Sequence, residues 1–189
     1  MGVFVLYNDE ERQILIQLAN DSIEYGLQHH QQEMPINTVN FSHNLQKTRA
    51  TFVTLEMDHR LRGCIGSLRA HRPLVNDVVS NANKAAFHDP RFSPVTIVDA
   101  AKLVLKISVL TEPVAMQFVS ELDLLSQLEP NVHGLIIQDQ GRQATFLPQV
   151  WETLPDPQNF LAHLKQKAGL PAGHWSPTFK AFTYQVELI

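Results

Sequence analysis

The chain has 189 residues, a formal net charge of −4, 44% hydrophobic residues and 18% charged residues. That balance excludes a disordered chain and a coiled coil, and it fits one ordinary domain or two small lobes around a shared core. No Lys/Arg cluster supplies the basic patch of a nucleic-acid binder, and no apolar run nears the ~20 residues of a membrane span.

The opening MGVFVLYNDE carries an apolar run too short and too uncharged for a signal peptide, and Leu6 stands where a myristoylation motif needs Ser or Thr. The one cysteine, Cys64, cannot form an internal disulfide, so nothing calls for an oxidising compartment. A cytoplasmic protein is expected.

The first element is a helix from Asp9 to about His30. Asn8 caps it, Glu11 completes a capping box, and Ile14, Leu15, Leu18, Ala19, Ser22 and Ile23 trace one face at helical spacing. A polar linker follows, QQEMPINTVNFSHNLQKTR. ATFVTLEM then alternates, with Val53, Leu55 and Met57 on one face of a strand. Asp58 and His59 turn the chain into a hairpin partner, RLRGCIGSL.

Pro73 opens a second helix, in which Leu74, Val75, Val78, Val79, Ala82, Ala85 and Ala86 form a wide apolar stripe suited to lie on a sheet. HDPRFSP breaks it. KLVLKISVL is a strand with Leu103, Leu105, Ile107 and Val109 on one face, and ELDLLSQL is a short helix. HGLIIQDQGRQATFLP reads as a hairpin turning near Gln140 and Gly141. LPQVW reads as a rigid aromatic surface turn. A helix starts at Asp156–Pro157 and is closed by Gly169. The C-terminal FKAFTYQVEL reads as one strand, with Phe182, Tyr184, Val186 and Leu188 alternating. Helices and antiparallel strands are mixed without a regular βαβ rhythm, so the class is α+β, antiparallel sheets flanked by helices.

LRGCIGSL, HDPRF, KISVLTEP, VHGLII, FLPQVW and KAGLP occur in this order, and together they closely resemble the AMMECR domain, also called AmmeMemoRadiSam system protein A. The hexapeptide LRGCIG is that family's hallmark. The resemblance runs from about Ala50 to Trp175, and more weakly to both ends, so that residues 1–189 are expected to form a single domain. It implies one AMMECR-type domain of two lobes with a cleft between them, the larger lobe from both chain ends and the smaller from the middle. It also implies genomic company with a Memo-like protein and a radical SAM protein. It supplies no settled reaction.

Two readings of the chemistry stand side by side. In the first, Cys64 is a nucleophile or redox thiol acting on a small molecule. Gly63 and Gly66 let a ligand or another backbone come close, and Arg62 adds positive charge near the thiol, although strand alternation points it to the opposite face. A thiol nucleophile needs a base, and His133 in VHG and His88 before DPRF are the candidates; each is equally readable as a turn histidine. Asp89 and Arg91 either form an ion pair locking a loop, or frame a substrate site in which Arg91 grips a carboxylate or phosphate bidentately. In the second reading the protein is a non-catalytic partner subunit or binding module, with the LRGCIG region as its contact surface. No metal-ligand spacing and no nucleotide or cofactor motif is present, so no cofactor is expected.

Overall fold

The computed structural model describes residues 6–189. The N-terminal apolar run, through Val5, lies outside the described residues. Among the described residues, no helix is long and apolar enough to cross a membrane.

Helix α1 spans Asp9–Gln28 and opens with the expected capping box between Asn8 and Glu11. A short helix α2, His43–Gln46, follows inside the stretch expected to be a plain linker. Ser42 caps α2, and Leu45 is its fully buried anchor. Strands β1 (Thr51–Met57) and β2 (Arg60–Gly66) form the expected hairpin. Its turn residues Asp58 and His59 both take positive φ, at 51° and 59°, the conformation whose twist matches paired strands.

Helix α3, Leu74–Phe87, lies on this hairpin and α1 packs across it. Its expected apolar stripe is buried throughout, and so are Asp77, Ser80, Asn81 and Asn83. A short helix α4, Ile97–Ala100, follows the DPRF turn and leads into β3, Val104–Leu110. With β8, Val186–Leu188, these strands form an antiparallel sheet in the order β2-β1-β3-β8. Between sheet and helices, Val53, Leu55, Leu74, Val78, Ile107 and Val109 are fully buried. Each contributes roughly 1.5–3 kcal/mol by leaving water.

The second sheet has the order β4-β7-β5-β6. Its strands are β4 (Val114–Ala115), β5 (Gly134–Asp139), β6 (Arg142–Phe146) and β7 (Lys180–Tyr184). Helices α5 (Glu121–Ser126) and α6 (Pro157–Lys167) pack with it around Leu135, Ile137, Phe160 and Leu164. Gln140 and Gly141 make the hairpin turn, with φ of 49° and 73°. The chain divides into two compact units. One holds residues 6–110 together with Glu187–Ile189, and the other holds Thr111–Val186. The fold is α+β, with antiparallel sheets flanked by helices.

Two further expectations change. LPQVW is not a surface turn, because Trp151 is buried and stacks on Phe160 with ring centroids 3.7 Å apart. Nor is the C-terminal segment one strand. It breaks at Gln185, whose backbone exchanges hydrogen bonds with Thr111, and continues in the other sheet. Beyond the break the buried residue is Glu187, held by Arg12 and by the Leu6 N–H, while Leu188 is exposed.

Candidate functional site

Thr54 stands opposite Cys64 and Leu55 opposite Gly63 in the β1–β2 register. Side chains alternate across a strand, so the register assigns faces. Val53 and Leu55 point into the core under α3, and Ile65 and Gly63 share that face. Thr54, Glu56 and Cys64 point the other way.

Cys64 is half-buried on this outer face. The Thr54 hydroxyl donates to its Sγ at 3.3 Å. Lys106 of β3 stands opposite Thr54, and its Nζ donates to Glu56 Oε1 at 2.7 Å. Glu56 is flanked in register by Leu61 on β2 and Val104 on β3. These two apolar side chains are 44% and 56% exposed, and Leu188 on β8 is 53% exposed.

The two glycines answer to packing. A Cβ on Gly63 would drive into the Ala85 carbonyl oxygen, so α3 approaches β2 closely only because residue 63 has no side chain. Gly66 lies under the Phe52 ring, and a Cβ there would also sit 2.5 Å from the Thr51 carbonyl oxygen. Just below, the fully buried Asp77 carboxylate accepts from Thr51 N, Thr51 Oγ1, Asn81 Nδ2, Ser67 Oγ and Arg72 Nε at 2.7–2.9 Å. Five donors on one buried carboxylate fix the exit of β2 against the first turn of α3. Asp77 is absent from the sequence-based candidates. Its signal is a carboxylate at an apolar-stripe position of a buried helix.

β2 is the edge of its sheet, and the residues around DPRF cover that edge. The Cys64 N–H donates to Asp89 Oδ2 at 2.9 Å, and Arg91 Nη2 donates to the Cys64 carbonyl at 3.1 Å. Arg91 also donates through Nε to Asp89 Oδ1 and through Nη2 to Asp89 Oδ2, at 2.9 and 2.7 Å. A carboxylate and a guanidinium thereby do what the next strand would do for this residue. The Arg91 hydrogen bonds, with that of the Cys64 N–H, hold the Asp89 carboxyl well below its ordinary pKa even though burial opposes them.

Arg62 is the extra residue of a β-bulge, since Leu55 faces Gly63 while Glu56 faces Leu61. Its guanidinium donates to the carbonyls of Ser93 and Pro94 and to Asp99 Oδ2, anchoring the loop after DPRF. His88 is exposed at the C-cap of α3. His133 belongs to the other unit. Its Nδ1 accepts from the Glu129 N–H at 3.1 Å, which puts the proton of the neutral ring on Nε2, and its carbonyl accepts from Trp151 Nε1 at 2.7 Å.

A second polar hub went unforeseen. Asp139, at the end of β5, accepts from Thr178 Oγ1 at 2.6 Å and Ser176 Oγ at 2.7 Å, and pairs with His174 Nε2 at 2.5 Å. The Thr178, His174 and Ser176 hydrogen bonds, in that order, lower the Asp139 pKa. Serine and histidine both bind the carboxylate rather than each other. The hub therefore lacks the relay of a catalytic triad and pins the 174–178 segment to the hairpin.

Around Cys64 the chemical inventory is short. The sulfur is hydrogen-bonded to a hydroxyl, the backbone groups of Cys64 are occupied, and Asp89 is held ionised and cannot exchange a proton near neutral pH. Among the described residues no group of three or more His, Cys, Asp or Glu is placed to hold a metal ion.

The AMMECR1 family profile matches residues 16–189. Protein MK0488 of Methanopyrus kandleri is 32% identical over 95% of this chain and 87% of its own length. Protein MJ0810 of Methanocaldococcus jannaschii is 37% identical over 67% of this chain and 65% of its own. The crystal structure of the uncharacterized protein PH0010 from Pyrococcus horikoshii superposes with a TM-score of 0.87 at 30% identity, over 97% of this chain and 93% of that one. Family profile and solved fold agree along nearly the whole chain, which belongs to the AMMECR1 family.

Proposed function

We propose that this protein is a non-catalytic binding subunit, and that the outer face of the β2-β1-β3 sheet is its contact surface. One observation carries the reading: Leu61 and Val104, both about half exposed, flank Glu56 in a single cross-strand row beside Cys64. Apolar side chains set around charged ones on a rigid sheet suit a protein interface. The hallmark residues support the reading by what they hold in place. Gly63 seats β2 on α3, Asp89 and Arg91 close the strand edge, and Arg62 ties down the adjoining loop. The resemblance to AMMECR proteins names the partner class, a Memo-like protein.

The test is protection of the thiol. Cys64 is the chain's one cysteine, so iodoacetamide adducts on its peptide report one site. A saturating Memo-like protein from the same genome is expected to slow labelling about tenfold at constant pH, because an interface excludes reagent and water together. An unchanged rate in a mixture shown to be complexed contradicts the proposed surface.

A second reading keeps one observation of its own. The Arg91 guanidinium, bonded to the Cys64 carbonyl at 3.1 Å, brings a fixed positive charge close to the half-exposed Cys64 thiol, as a thiol acting on a small anionic molecule requires. That reading predicts a covalent adduct on Cys64 in protein isolated from its own cells, visible as added mass on the same peptide.

A further inference from the structure

In the second unit, β4 pairs with β7 over Val114–Ala115, and Met116 makes a last bond through its N–H to the Ala181 carbonyl at 3.0 Å. The chain then leaves the sheet. Its departure opens a groove of about 540 Å³, whose lining includes Met116, Phe118, Trp175, Phe179, Phe182 and Lys180. That volume is in the range of small-molecule sites, roughly 300–1,000 Å³. The rings form a continuous wall: Trp175 lies 5.6 Å from Phe118 and 5.0 Å from Phe179, centroid to centroid.

Charge decides what such a wall accepts. An aromatic wall by itself suits a cation. Here that position is already taken from inside. Lys165 is fully buried, its Nζ lies 5.7 Å from both the Trp175 and the Phe179 centroids, and it pairs with Glu121 Oε1 at 2.9 Å. A cation held against the ring faces from the interior draws their electron density inward and weakens their pull on a second cation. Among the described residues, Lys180 is the one ionisable residue of the lining, and none of the lining is acidic. We propose that this groove binds a planar aromatic carboxylic acid, its ring against Trp175 and Phe118 and its carboxylate directed to Lys180.

The test uses the full chain and three probes of one shape: 2-naphthoate, 2-naphthamide and 2-naphthylmethylammonium. Binding is read by calorimetry and by the indole N–H resonance of Trp175; the chain's other tryptophan, Trp151, is buried and serves as internal control. Naphthoate is expected to saturate one site about fivefold more tightly than the amide, the size of one solvent-accessible ion pair, with the ammonium weakest. Lys180→Gln is expected to abolish the preference for acid over amide and leave amide binding in place. Non-saturating titrations, ammonium binding as tight as naphthoate, or a preference that survives Lys180→Gln each overturn the proposal. Because the site lies wholly within Thr111–Val186, its failure leaves the sheet-face reading untouched.

Discussion

Asp89 and Cys64 are joined through the backbone, not through the thiol. The Cys64 N–H donates to Asp89 Oδ2 at 2.9 Å, and the arginine paired with that carboxylate returns a bond to the Cys64 carbonyl. LRGCIG and DPRF are thus two halves of one device, a strand edge and its cap. Asp89→Ala leaves the Cys64 N–H without its acceptor and strips the Arg91 guanidinium of its carboxylate, leaving it only the Cys64 carbonyl. It is expected to lower stability by about 2–3 kcal/mol in urea unfolding. Arg91→Ala is expected to lose less, because Arg91 is half exposed and water replaces it readily.

The same contact sets an acid dependence. The folded Asp89 pKa is depressed, so the stability it contributes is complete above the unfolded value of about 4 and is lost as pH falls below it. The stability gap between wild type and Asp89→Asn is therefore expected to be constant near neutral pH and to close in acid. Unfolding free energies measured from pH 7 downward check this, and a gap that widens in acid contradicts it.

Gly63→Ala places a methyl group against the Ala85 carbonyl, and the obstacle is helix backbone that no rotamer change clears. The variant is expected to lose about 3 kcal/mol or more, or to fail to fold. Thermal unfolding compared with Gly173→Ala, at a position where an added Cβ meets nothing, isolates the steric cause.

Asp139→Ala removes the acceptor shared by His174, Ser176 and Thr178. The 174–178 segment is expected to exchange its amide hydrogens faster, the Thr178 N–H most of all, while the β1–β3 sheet keeps its protection. Hydrogen-exchange mass spectrometry reads both regions in one experiment.

Helices α1, α3, α5 and α6, both hairpins and the α+β class were legible in the chain because they rest on local signals, whereas the one-turn helices α2 and α4 were not. Asn8 with Glu11, the α3 stripe and the Gln140–Gly141 turn are each read within a few residues. The site's residue types were legible too, but their partners were not. Asp89 reaches a backbone N–H 25 residues away and Asp139 a histidine 35 away, and no periodicity encodes a bond between a side chain and a distant strand edge. The alternation from Lys180 to Leu188 runs unbroken through a change of sheet, because the switch is made by Gln185 pairing with Thr111. Trp151 looked like a surface aromatic because its stacking partner, Phe160, lies beyond a proline-rich turn.

The central claim is that the outer sheet face binds a partner and that its exposed apolar row carries the contact. The direct measurement is a calorimetric titration of the Memo-like protein from the same genome into wild type, Leu61→Asp, Val104→Asp and Cys64→Ser, each first shown to unfold like wild type. The account predicts one-to-one binding, weakened about tenfold or more by either aspartate and retained by Cys64→Ser. Absence of binding by wild type, or aspartate variants that bind as wild type does, would contradict it.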